Sequence, residues 1–135
     1  MEETSTRGVG EAVHVPNAIR EAIRAVADSA QALCVILFGS WATGQENAES
    51  DVDLVVVCET TDRWRTAGEL LCLWNRLRRE NEELPDLDIL VYTAEEFLEG
   101  RRIPGFVPFI AMREGIVVYG EPPATSSAMA QDSTR

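Results

Sequence analysis

Leu33–Phe38 is a short run without a polar residue, and Gly39 and Ser40 end it abruptly. An apolar run of this length, closed by a turn signal, reads as a buried strand. Such a strand must share its backbone hydrogen bonds with neighbours, so the chain is committed to a sheet. Three later segments can supply partners: Asp51–Cys58, rich in valine, then Leu87–Tyr92 and Ile116–Tyr119. Helical patterns fill the intervals. After Pro16, residues Ile19, Ile23, Val26, Ala27 and Ala30 recur at helical spacing. Trp64, Ala67, Leu71, Trp74 and Leu77 mark one face of a second helix, with caps offered by Thr60, Thr61 and Asp62 and a limit set by Pro85. Gly44 is placed to break a short helix from a loop within the small, polar stretch 41–50. Thr93 and Glu96 fit a capping box, and Tyr92 with Phe97 fits a hydrophobic staple, so a third helix starts at Ala94. Phe106, Phe109 and Ile110 suggest another, ended by Gly115. Alternating helices and strands imply an α/β chain, one sheet layered with helices.

The chain has 135 residues, 45% of them apolar and 26% charged, which suits one globular domain with a single core. That domain is expected over 15–120, between a flexible N-terminus, 1–14, and a disordered tail, 121–135. The net charge is −11, and every basic residue is arginine. Acidity on this scale argues against holding nucleic acid by phosphate neutralisation. A phosphate compound would have to be held through a cation. No apolar run suggests a membrane span or a signal peptide, so a cytoplasmic protein is expected. Cys34, Cys58 and Cys72 lie in apolar runs at long spacings and read as reduced core residues. His14 is the only histidine and no CxxC pair occurs, which argues against a thiolate or imidazole zinc site.

Chemistry concentrates around the first two strands. Asp51 and Asp53 are two apart, so both carboxylates face one side of a strand while Val52, Leu54 and Val56 face the other. Carboxylates that close repel unless a cation lies between them. Oxygen donors without His or Cys favour Mg²⁺ or Mn²⁺. Asp88 faces away from Leu87, Ile89 and Val91, and it would join the pair if the strands were neighbours in register. Three carboxylates could then hold two metals about 4 Å apart, as phosphoryl or nucleotidyl transfer requires. Asp86 has the same parity, but it follows Pro85 and reads as a turn acid. Gly39 lets a phosphate approach the backbone, and the Ser40 hydroxyl opens a short helix whose N–H groups favour anions. Gly39 and Gly44 have P-loop spacing, yet Gln45 and Glu46 occupy the places of its Lys and Ser/Thr.

Phe38-Gly39-Ser40-Trp41-Ala42-Thr43-Gly44, followed by Ser50-Asp51-Val52-Asp53-Leu54, resembles the signature of the DNA polymerase β-like nucleotidyltransferase superfamily. Within it the chain is similar to the minimal nucleotidyltransferases, the MntA-like antitoxins of HEPN/MNT toxin–antitoxin pairs. The likeness runs over roughly residues 17–120 and includes Leu87-Asp88-Ile89-Leu90 and the closing Arg113–Gly120. Thr43 departs from it, because many relatives carry Arg there. The resemblance implies an α+β nucleotidyltransferase fold, a mixed sheet of about four strands with helices packed on it. It implies ATP as donor and two Mg²⁺ ions. Gly39 and Ser40 would bind the β- and γ-phosphates, Asp51 and Asp53 both metals, and Asp88 the metal beside the acceptor. The acceptor would be a tyrosine hydroxyl on a HEPN ribonuclease toxin, silenced by the added AMP. The alternatives are transfer to a small molecule such as an aminoglycoside, or a non-catalytic antitoxin that acts by binding alone.

Other conspicuous residues read more simply. Trp41 suits either adenine stacking or packing of the turn. Trp64 and Trp74 belong to the core or to a partner interface. Arg76, Arg78 and Arg79 read as a solvated helix face beside Glu80, Glu82 and Glu83, with a partner contact as the alternative.

Overall fold

The computed structural model describes residues 15–47 and 49–124. Among the described residues, helix α1 (Asn17–Ala30) comes first; it buries Ile19, Ala22, Ile23, Val26 and Ala27 and ends at Gln31, which is left-handed with φ 51°. Strand β1 (Cys34–Phe38) leads through Gly39 into the single-turn helix α2 (Ser40–Thr43), which Gly44 closes in a left-handed conformation. Strand β2 (Val52–Val57) is followed by α3 (Arg63–Glu80), β3 (Leu87–Tyr92), α4 (Ala94–Gly100), α5 (Val107–Glu114) and β4 (Ile116–Gly120). The capping box at Thr93 and Glu96 is formed in full, and Tyr92 meets Phe97 edge to face at 6.4 Å. Asp62 caps α3 by accepting from the Arg65 N–H at 3.1 Å.

The four strands form one mixed sheet in the order β3-β2-β1-β4. β1 runs antiparallel to both β2 and β4, while β2 and β3 are parallel. Strand alternation sends the two sets of side chains into separate cores. Val35, Leu37, Val52, Leu54, Val56, Ile89 and Val91 pack with α1 and α3, where Trp74 is fully buried. Cys34, Ile36, Val55 and Val57 pack with Phe97 of α4 and Ala111 of α5. The second layer is the smaller one, and Asp53 and Asp88 belong to its side of the sheet.

Several expectations need correction. β1 and β2 begin one residue later than their apolar patterns, so Leu33 is exposed and Asp51 precedes its strand. Cys34 and Cys58 are buried as expected, but Cys72 is exposed on α3. The buried stripe of α3 centres on Leu70 and Trp74, which leaves Trp64 outside it. α5 buries its smaller residues Pro108 and Ala111, because Pro108 must fit against Gly100, while Phe106 stays exposed as the N-cap. The segments expected to be flexible, 1–14 and most of the tail, lie outside the described residues; Glu121–Ala124 has no regular secondary structure. Among the described residues no helix is long and apolar enough to cross a membrane.

Candidate active site

The pairing register assembles the site. Phe38 pairs with Asp53 across β1 and β2, and Asp53 pairs with Asp88 across β2 and β3. Gly39, Asp53 and Asp88 therefore line up across three strands at one end of the sheet. Asp88 and Asp51 both act on Asp53 through their negative charge. Burial first, then the charges of Asp88 and Asp51, push the Asp53 carboxyl up to about 6. Among the described residues, no three His, Cys, Asp or Glu side chains stand together as a ready-made metal cage.

Gly39 has φ 77° and ψ −157°, a region almost confined to glycine. A Cβ at this position would overlap Asp53 Oδ2. The glycine thus serves two steric needs at once, the sharp turn and the closeness of backbone to carboxylate. Its carbonyl accepts from the N–H groups of Ala42 and Thr43 at 3.0 and 3.2 Å, which winds α2 and sets half-buried Ser40 at its first position. Trp41 is 8% exposed, and its Nε1 donates to the Ser50 carbonyl at 3.1 Å. That contact pins the α2–β2 loop, so packing of the turn accounts for Trp41.

Asp86 and Asp88 part company. Arg78 reaches Asp86 Oδ1 at 2.6 Å and donates from Nε to the Leu84 carbonyl at 2.9 Å. Asp86 is drawn towards α3, away from Asp53, despite its parity with Asp88. The arginine cluster is therefore partly structural. Glu46, marked in the sequence only as a mismatch to a P-loop, has its Oε1 buried without a hydrogen-bond partner in the loop joining Ser40 to Asp51. No periodicity points to it.

The donor set suits a hard cation. It consists of carboxylate oxygens alone: Asp53, held up by burial, beside the negative charges of Asp88 and Asp51. A cation among them would relieve the repulsion that burial intensifies.

The family model described as polymerase beta nucleotidyltransferase matches residues 21–96, more than half of the chain. The chain belongs to that family. The match covers Gly39, Ser40, Asp51, Asp53 and Asp88 and stops within α4. No curated protein sequence matches this nucleotidyltransferase chain at a significant level. Among solved structures, it is similar to a toxin–antitoxin crystallised with AMP-PNP, at TM-score 0.50 and 16% identity over 76% of this chain and 73% of that one. It is also similar to a mutant of the toxin–antitoxin pair MntA–HpeT, at TM-score 0.47 and 14% identity over the same shares. At such identity the first likeness bears on the nucleotidyltransferase fold itself.

Proposed function

We propose that the chain transfers AMP from ATP to a tyrosine hydroxyl of a HEPN ribonuclease toxin and thereby acts as its antitoxin. The observation that carries the reading is the line of Gly39, Asp53 and Asp88 across three strands of a polymerase β nucleotidyltransferase domain. The toxin–antitoxin character of a solved protein of this fold, crystallised with AMP-PNP, supports the choice of nucleotide and partner.

In this reading, Gly39 and Ser40 receive the β- and γ-phosphates where the backbone can approach most closely. Asp51, Asp53 and Asp88 would hold two Mg²⁺ ions. Bound there, Mg²⁺ offsets negative charge at the α-phosphate as pyrophosphate leaves. Asp88, exposed on the edge strand, meets the incoming tyrosine and takes up its hydroxyl proton. The acceptor oxygen then bonds to the α-phosphorus as the bond to pyrophosphate breaks.

The test is incubation with a candidate HEPN protein, ATP and Mg²⁺, followed by intact mass. The native chain should add the mass of AMP to the toxin. Asp51→Asn with Asp53→Asn should add none while keeping the native circular dichroism spectrum. Neutralisation without a mass change would overturn the transfer reading in favour of binding alone.

A further inference from the structure

Trp64 is 75% exposed, more than any other large apolar side chain among the described residues. It stands in the first turn of α3, two residues after the Asp62 cap. The Arg63 guanidinium lies 5.7 Å from the Trp64 ring and 5.8 Å from the Tyr92 ring. Arg63 is itself tied to Glu96 Oε1 at 3.2 Å. A solvent-facing cluster of Trp, Arg and Tyr has the composition of an interface hot spot.

Its surroundings indicate what could cover it. Glu59, Asp62, Glu69, Glu95 and Glu96 all belong to this corner, against Arg63 and Arg65. Both arginines are paired within the chain, to Glu96 and Glu69. The corner is therefore acidic around an exposed indole. Carboxylates repel phosphates, which disfavours a nucleic acid stacking here. They attract a cationic side chain, and the indole face can bind one by cation–π contact.

The corner also communicates with the acids. Tyr92 and Asp88 are four residues apart on β3, so they share a face about 13 Å apart. Half-buried Leu90 lies between them on that face. A polypeptide anchored at Trp64 could follow this edge strand to Asp88.

We propose that Trp64, backed by Arg63 and Tyr92, is the docking anchor for the acceptor protein, which binds through a basic segment. The anchor's purpose rests on the transfer reading above; its existence does not. Acidic surroundings would steer the basic segment in, and the aromatic pair would retain it.

Trp41 is 8% and Trp74 0% exposed, so the quenchable tryptophan fluorescence comes from Trp64. Two synthetic peptides serve as probes, each with a central tyrosine flanked by alternating leucine and either arginine or glutamate. The full chain, without nucleotide, should bind the arginine peptide, and binding should shield Trp64 from acrylamide. Trp64→Ala should weaken that binding at least tenfold by calorimetry, while AMP-PNP binding and the thermal melt stay unchanged. The glutamate peptide should not bind. Equal binding of the two peptides, no binding of either, or unchanged affinity in W64A overturns the anchor. AMP-PNP binding together with failure of the peptide leaves the transfer reading standing; the reverse result removes that reading and keeps the anchor.

Discussion

Asp53 carries the electrostatic cost of the site. Burial and the charges of Asp88 and Asp51 raise its carboxyl from 3.8 to about 6. In the unfolded chain it titrates near its ordinary value. Between the two values the folded chain holds more protons than the unfolded one, so stability falls as pH rises through that window. In EDTA, Asp53→Asn should therefore melt above the native chain at pH 7.5, and the gap should close as pH drops through 6 towards 4. A gap independent of pH would deny the coupling. Gly39 is the other residue with little freedom. Gly39→Ala meets a strained backbone and the Asp53 carboxylate together, and should cost about 1–3 kcal/mol by thermal melt. It should also abolish AMP transfer to the candidate toxin, even where the protein remains folded. Both residues stood out in the sequence, Asp53 by its parity with Asp51 and Gly39 by ending an apolar run. The closeness of the two side by side was not legible, because it depends on the pairing of Phe38 with Asp53.

Elements followed their local codes closely. The Thr93–Glu96 box and the Tyr92–Phe97 contact start α4 where the residues indicated. Thr93→Ala removes the side chain that accepts from the Glu96 N–H and should lower stability by about 1 kcal/mol in urea unfolding. Nucleotide binding should be unaffected, since α4 covers the far end of the sheet from Gly39. Local codes were weaker where an element's outside is decided by what it meets. Trp64 fits the helical stripe of Ala67, Leu71 and Trp74, but the buried stripe of α3 is set by Leu70 and Trp74, and the indole stays in solvent. α5 shows the same effect. Its phenylalanine pattern suggested a core face, yet close approach of Pro108 to Gly100 selects small residues for the interior.

Over the whole molecule, the charge of −11 takes on local meaning. Some acids are spent on structure: Asp62 on a cap, Asp86 on Arg78, Glu96 on Arg63. Asp53 and Asp88 pair across β2 and β3 at the Gly39 end of the sheet, where Asp51 adds its charge to theirs. The sequence by itself determined the strands and helices, the Gly-Ser turn, the side of β2 on which Asp53 lies, and the resemblance to nucleotidyltransferases. These follow from backbone sterics, side-chain period and short-range hydrogen bonds, which neighbouring residues decide. The tertiary structure alone decided the order β3-β2-β1-β4, the register that sets Asp88 against Asp53, the diversion of Asp86 to Arg78 and the exposure of Trp64. Each depends on segments far apart in the chain meeting one another, and the free energy of those contacts exists only once the sheet has closed.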